Sequence, residues 1–328
     1  MEISCRSGDI YNKTSIWSSF DLLSNLSKDF KFCSIRAVYK PTKPTKPTKS
    51  IDSKLSTTDK SVLLGCDVII ISSPNSTHYQ YLDWLAKNFH GFIFCEKPPI
   101  NNLKEMSVFK LLNSKKTFFG FNLRYSQFAH WSKETLSNEQ LGKPINFSVS
   151  VGYGFGFKES YLTSWKSGFN QSPSGIIATL GIHYIDLART ILGEISDLAI
   201  QHEKFSRNGS VPDSASINIL HKNGATSSIL VSYATPCLDS LRLIGTNGYI
   251  ALSENTLKLR SPRDSFDSDG LFTSPPIIRE RIFAKEQFYI ESLRSEVEFF
   301  LDVVTNNGDF PEELFAQSEE VNRLMLEN

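Results

Sequence analysis

Two side chains in this sequence have the type and the setting to move a proton. Lys97 ends the apolar run Phe92-Ile93-Phe94-Cys95 and is bracketed by Glu96 and Pro98, which restricts its backbone. An ammonium at a strand end can polarise a carbonyl during reduction. With its pKa lowered by a neighbouring cation or by burial, it can help remove a hydroxyl proton during oxidation. A structural pairing with Glu96 is the bland alternative, but adjacent side chains on an extended strand point to opposite faces. His183 stands near the start of an amphipathic segment, Gly181-Ile182-His183-Tyr184-Ile185-Asp186-Leu187, that ends near Gly193. Imidazole is the natural proton carrier near neutral pH, and Asp186, one turn later, shares its helix face. A lone histidine is more often structural than catalytic, so the pattern alone leaves both roles open. Asn122, Arg124 and Tyr125, and further on Tyr153, Tyr161, Trp165 and Lys166, supply amide, cationic and aromatic groups of the kinds that line a site for a small polar ligand. Ordinary interface residues would look the same.

The elements that must position these groups can be read from hydrophobic period. Val68 to Ile71 is a continuous β-branched run, which suits a strand covered on both faces of a parallel sheet. It stops at Ser72-Ser73-Pro74-Asn75, where Pro74 cannot donate to a ladder and Ser76 or Thr77 can cap a helix. Tyr81, Leu82, Trp84 and Leu85 recur at helical spacing, so the stretch reads as the crossover of a βαβ unit ending in the strand before Lys97. Ligands bind at such carboxyl ends of strands. Met106, Phe109, Leu111 and Leu112 predict another helix and residues 117–121 another strand, closing a first domain at residues 1–122. From Ile145 the pattern alternates through Phe147, Val149, Val151, Tyr153, Phe155 and Phe157, predicting a half-buried strand. Further strands are expected near 198–201, 216–220, 226–233, 241–245 and 249–252, then helices near 288–304 and 312–326. The expectation for residues 123–328 is an α+β domain with an open, mostly antiparallel sheet, whose terminal helices can pack back on the first domain.

Ser72-Ser73-Pro74-Asn75-Ser76-Thr77-His78-Tyr79 after one strand and Phe94-Cys95-Glu96-Lys97-Pro98-Pro99 after the next resemble the paired motifs of the Gfo/Idh/MocA family (glucose-fructose oxidoreductase, inositol dehydrogenase and rhizopine catabolism). Gly120-Phe121-Asn122-Leu123-Arg124-Tyr125, Leu141-Gly142-Lys143-Pro144, Gly181-Ile182-His183-Tyr184-Ile185-Asp186 and Gly245-Thr246-Asn247-Gly248 follow in the order that family uses. The resemblance implies an α/β protein with an N-terminal Rossmann-type dinucleotide-binding domain. It also implies an NAD(P)-dependent oxidoreductase passing a hydride between nicotinamide and a sugar, cyclitol or nucleotide-sugar carbon. Carried over residue by residue, Lys97 and His183 are the expected catalytic pair, with Thr179 and Asp186 as supporting groups. Gly8, Asp9, Ile10, Lys40, Ser73, Pro74, Asn75, His78, Glu96, Lys97 and Asn122 would bind the cofactor, and Arg124, Tyr125, Tyr153, Trp165 and His183 the substrate.

Three departures stand out. In the glycine-rich turn, Gly8 fits the second glycine, but Arg6 stands where the first would be and the third is absent. A side chain there holds the backbone away from phosphate, although a guanidinium beside a pyrophosphate can recover charge-assisted hydrogen bonds. Lys40 stands where the family often carries an acidic residue for the ribose 2′-hydroxyl; a cation suits a 2′-phosphate, so the lean is to NADP over NAD. Thr179 stands where catalytic members carry an aspartate four residues before the histidine. A threonine hydroxyl can hydrogen-bond a substrate but cannot hold a negative charge, and general acid–base steps are worth ~10²- to 10⁴-fold. These departures keep open a non-catalytic family member, a ligand-binding or assembly protein. A Ser/His/Asp or Cys/His hydrolase lacks a nucleophile-elbow pattern.

Composition narrows the partners. Lys+Arg 35 balances Asp+Glu 35 over 328 residues, so no global field recruits nucleic acid or an anionic membrane. The run Pro41 to Lys49, PTKPTKPTK, favours extended polyproline II. It lacks aromatics for base stacking, and Lys43 and Lys46 are candidates for weak anion contacts. No apolar stretch reaches the ~20 residues needed to span a bilayer, and the first residues lack the apolar core of a signal peptide. Cys5, Cys33, Cys66, Cys95 and Cys237 are scattered, indicating neither a metal site nor disulfides; most read as buried thiols in a reducing cytoplasm. The resemblance further implies a homo-oligomer formed through the C-terminal sheet.

Overall fold

The structure, a computed structural model, describes the backbone of Val38–Tyr39 and of residues 56–328, with side chains from residue 58 onward. The glycine-rich turn with Arg6, Gly8, Asp9 and Ile10, the first helix that the spacing of Trp17, Phe20, Leu22, Leu23 and Leu26 predicts, most of the second strand that the sequence predicts over Phe32 to Tyr39, Lys40, the 41–49 repeat, Cys5 and Cys33 lie outside the described residues. The chain divides into two compact units. One runs to Phe121 and takes back Leu293–Arg323; the other comprises Asn122–Ser292 with Leu324–Asn328.

In the first unit, β1 (Val38–Tyr39) pairs in parallel with β2 (Ser56–Thr57). The β-branched run forms β3 (Val68–Ile71), buried at every position. Helix α1 (His78–Asn88) crosses over to β4 (Phe92–Glu96), and β5 (Thr117–Gly120) follows. The three strands pair in parallel in the order β3-β4-β5, with Val68 opposite Phe92 and Cys95 opposite Phe119. Two local expectations are corrected. Neither Ser76 nor Thr77 caps α1 through its side chain; the Thr77 hydroxyl instead donates to the Pro74 carbonyl at 2.8 Å, because a short 3-10 turn, Asn75–Thr77, precedes the helix. The helix expected around Met106 to Leu112 is a 3-10 segment, Leu103–Lys110, that buries Val108 and Phe109 and leaves Leu111 exposed. A threefold repeat presents a narrower face than an α-helix. Phe300 and Phe310, from the returning segment, pack against Phe118 with ring centroids 5.7 and 5.2 Å away, and Phe300 meets Phe94 edge-on at 5.2 Å.

The second unit begins with a 3-10 turn, Asn122–Tyr125, and helix α2 (Gln127–Ser137), which the Ser126 hydroxyl caps by accepting from the Ala129 N–H. Strand β6 (Pro144–Gly152) follows, then a five-residue π-helical turn, Ile177–Gly181, and helix α3 (Ile182–Leu192). Gly193, with φ 84°, ends α3, a conformation glycine adopts without strain. The remaining strands are β7 (Ile195–Glu203), β8 (Ser214–His221), β9 (Thr226–Ser232), β10 (Leu238–Gly245), β11 (Tyr249–Ser253), β12 (Thr256–Arg260) and β13 (Ile277–Ile282). Among the described residues these form one open sheet in the order β13-β12-β11-β10-β6-β9-β8-β7. Every neighbouring pair is antiparallel except β6 with β9. Ile217, Ile219, Ile229, Val231, Leu241 and Leu243 are buried, and the alternation turns Asn218, Leu220, Leu230 and Arg242 to the exposed face.

The alternating run expected to continue as strand through Phe157 stops at Gly152. Residues Gly154–Phe157 form a 3-10 turn, held where the Tyr153 and Gly156 N–H groups donate to the Ser232 and Tyr233 carbonyls. Helix α2 and strands β12 and β13 carried no clear sequence signal; β13 is exposed along almost its whole length, so no period marks it. Helices α4 (Gln287–Thr305) and α5 (Glu312–Glu327) end the described chain. Among the described residues the Cys66 and Cys95 thiols are buried and that of Cys237 is exposed.

Candidate functional site

At the carboxyl edge of the parallel sheet, β3 leads into Ser72-Ser73-Pro74-Asn75 and β4 into Glu96-Lys97-Pro98. A single buried imidazole joins the two segments. His78 Nδ1 lies 2.8 Å from the Pro98 carbonyl oxygen and Nε2 lies 2.7 Å from that of Ser73. Two carbonyl acceptors favour an imidazolium, but burial is the largest influence and the Lys97 charge adds to it, so the His78 pKa lies below its ordinary value. Ser73 also pairs with Thr77 through their hydroxyls, at 2.5 Å. Lys97 and Glu96 are half-buried. Gly120, at the end of β5, leaves room beside the Glu96 carboxylate that a Cβ would fill. Asn75 is buried, and its Nδ2 has no hydrogen-bond partner among the described residues. A buried amide donor in that state is expensive to keep. The edge therefore fits a ligand that offers an acceptor oxygen there, as the carboxamide or ribose of a nicotinamide nucleotide does.

In the second unit the π-helical turn carries Thr179 and delivers His183 into the first turn of α3, 8% exposed. Single π turns recur at functional sites because they displace the side chains that follow. Thr179 Oγ1 donates to the Gly175 carbonyl at 3.0 Å and shares a 2.9 Å hydrogen bond with the Tyr233 hydroxyl. Tyr233 is buried, which pushes its pKa up to about 12. Its ring lies 5.3 Å from that of Tyr153, the two side chains share a hydrogen bond, and Phe155 and Tyr161 complete the aromatic cluster. Tyr153 is 40% exposed; the burial of its hydroxyl raises its pKa.

Asp186, expected to support His183, accepts from Arg124. Arg124 Nε donates to Oδ2 at 2.8 Å and its NH2 group bonds Oδ1, with both side chains almost wholly buried. A carboxylate inside a helix packed on a sheet requires such a partner. Asn122 is 1% exposed, and its Nδ2 donates to Ser292 Oγ at 2.7 Å. Tyr125 and Trp165 are half-buried, the Lys166 ammonium standing 5.7 Å from the Trp165 ring centroid.

The first unit thus gathers Ser73, His78 and the Lys97-Pro98 carbonyl side; the second gathers Arg124 with Asp186, and Thr179 with Tyr233 and Tyr153. Sequence reasoning missed Tyr233 and Ser292. Tyr233 is 54 residues from Thr179 and Ser292 is 170 from Asn122, and no local spacing encodes contacts of that range.

Comparison with known proteins matches residues 21–120 to an oxidoreductase family model with an NAD-binding Rossmann fold, and residues 131–251 to a GFO/IDH/MocA C-terminal domain model. D-apiose dehydrogenase of Rhizobium rhizogenes is 31% identical over 53% of this chain and 53% of its own length. Glucose-6-phosphate 3-dehydrogenase of Bacillus subtilis is 31% identical over 36% of this chain and 35% of its own. These alignments span about half or less of the curated relatives. Among solved structures, a levoglucosan dehydrogenase in complex with NADH superposes with a TM-score of 0.76 at 16% identity, covering 99% of this chain and 96% of the other. An oxidoreductase from Agrobacterium radiobacter in complex with NAD+, L-tartaric acid and magnesium superposes with a TM-score of 0.73 at 20% identity, covering 99% and 93%. At such identities the likeness is one of fold: a Rossmann-type domain followed by an open, mostly antiparallel sheet.

Proposed function

Because the chain belongs to the GFO/IDH/MocA oxidoreductase family, we propose that it transfers a hydride between a nicotinamide cofactor and a hydroxyl- or carbonyl-bearing carbon of a sugar or cyclitol. The observation that carries this reading is the sheet edge at which His78 ties the Ser73 segment to Pro98, beside Lys97 and the Asn75 amide, which has no hydrogen-bond partner among the described residues. A bound nicotinamide nucleotide supplies the hydride acceptor or donor. The chain's own part is to bind, orient and move the proton. Ser73, Pro74, Asn75 and Glu96 line the nicotinamide end, and Lys97 Nζ takes the hydroxyl proton in oxidation or polarises the carbonyl in reduction. His183 is the second proton-handling residue and Asp186 holds its helix through Arg124. The relatives, dehydrogenases of D-apiose, glucose 6-phosphate and myo-inositol, support a small polyhydroxylated substrate. Lys40 supports NADP(H) over NAD(H).

Fluorescence titration with NADPH and NADH, followed by a hydride-transfer screen on those sugars and cyclitols, tests the reading. Saturable binding and turnover in the wild type are expected, with Lys97→Ala lowering kcat by ~10²-fold or more while the cofactor still binds. A folded wild-type protein that binds neither nucleotide would overturn it. Thr179, which holds no charge, favours a second reading, a non-catalytic ligand-binding member; nucleotide binding without turnover on any probe would select it. The reading also places the protein in a reducing cytoplasm, supported by the buried thiols of Cys66 and Cys95; a disulfide found in protein purified without reductant would count against this. Self-association through the exposed sheet face is part of the proposal, supported by Leu220 and Leu230 on that face. Light scattering showing a monomer at micromolar concentration would remove it.

A further inference from the structure

The hydrogen bonds around Tyr233 run in one direction only. The Gly175 carbonyl can only accept, so the single proton of Thr179 Oγ1 is committed to it. Thr179 must therefore accept from Tyr233, across 2.9 Å. Tyr233 has then given away its proton and can only accept from Tyr153, whose hydroxyl is its other side-chain partner. The chain of donation is Tyr153 to Tyr233 to Thr179 to Gly175. At its outer end stands Tyr153, 40% exposed at the close of β6, with a phenol proton turned inward and its remaining lone pair free to accept.

We propose that Tyr233 is a positioning residue that fixes the Tyr153 phenol as a hydrogen-bond acceptor, making Tyr153 a specificity-determining contact that takes hydroxyl donors of a polyol. The inference rests on the proposed function and deepens it by naming the group recognised. A hydroxyl-bearing carbon can donate to this oxygen; an ether, an ester or an ionised carboxylate presents only acceptors and meets a lone pair. Thr179 carries no charge, so selection here depends on which way a neutral chain of hydroxyls points. Burial of the chain strengthens that preference, because a misdirected hydroxyl in a poorly solvated place has no water to turn to.

The test compares steady-state kinetics of the full chain with myo-inositol, D-apiose, levoglucosan and glucose 6-phosphate at saturating NAD+ or NADP+. Variants are Tyr233→Phe, Tyr153→Phe, the double variant, Thr179→Val and Thr179→Ser. Removing the Tyr233 hydroxyl frees the Tyr153 proton to rotate outward. The expected result is a KM raised ~3- to 10-fold with kcat within about twofold, a similar loss for Tyr153→Phe, and no further loss in the double variant. Thr179→Val should match Tyr233→Phe, and Thr179→Ser should rescue it by restoring the hydroxyl. A Tyr233→Phe protein with unchanged KM beside a raised KM in Tyr153→Phe, or losses that simply add, overturns the proposal. Should Tyr233→Phe fail to melt cooperatively, the Thr179→Val and Thr179→Ser pair decides by the same criterion. If the wild type turns over none of the probes, calorimetric binding of the same compounds replaces kinetics. Binding that obeys the pattern upholds the hydroxyl chain while the oxidoreductase reading falls, and no binding at all removes both.

Discussion

His78 ties together the two segments at the carboxyl edge of the parallel sheet, and its chemistry is testable by pH. Neutral imidazole has one N–H and faces two carbonyl oxygens, 2.7 and 2.8 Å away; burial, the largest influence, nevertheless keeps its pKa below the ordinary 6.5. With the folded-state value depressed, the unfolded chain takes up the proton first, so acid favours unfolding. The stabilising contribution is complete above 6.5 and is lost as the pH falls through the folded-state pKa. Thermal melts of the wild type and of His78→Gln across that window should diverge at neutral pH and converge in acid. Identical profiles would show that His78 does not titrate between the two states. The pairing could not be read from sequence, where His78 and Pro98 are simply 20 residues apart.

At the scale of the element, α3 is held by an ion pair rather than by apolar contact alone. Arg124, in the 3-10 turn Asn122–Tyr125, reaches Asp186 in the middle of α3. Arg124→Ala would leave a carboxylate buried without its cation, a change that costs about 3–5 kcal/mol in comparable sites. Urea unfolding should show that loss, and Arg124→Lys should recover part of it, since a single ammonium replaces a two-point fork. A loss under ~1 kcal/mol for the alanine variant would mean that water reaches Asp186. The strands β3 to β5 and most strands of the large sheet were legible for a plain reason: β3 reads as an unbroken apolar run because both faces are covered, and β8 and β9 alternate because one face is exposed. Legibility failed where period and geometry part. The alternation of Tyr153, Phe155 and Phe157 outlasts the strand, since Gly154 and Gly156 let the chain turn back under Tyr233. Of the candidate site, the residue types could be nominated from sequence, Lys97 and His183 above all, and their partners could not. Arg124, Tyr233 and Ser292 act across 62, 54 and 170 residues.

For the whole molecule, equal numbers of acidic and basic residues leave association to shape and apolar area rather than to a long-range field. The described residues hold no helix long and apolar enough to cross a membrane. The division into units has a further consequence, in time. Phe94 and Phe118 are buried against Phe300 and Phe310, which belong to a segment made some 180 residues later. At ribosomal speeds of about 5–20 residues per second, the aromatic face of the parallel sheet waits roughly ten to forty seconds for its cover. The expected outcome is that the first unit needs chaperone cover during synthesis, while the second can close its sheet before the first is complete. Ribosome-bound chains arrested before Phe300 should be captured by a hydrophobic-sensing holdase and released once Phe310 has emerged, and capture that is indifferent to the arrest point would count against this order.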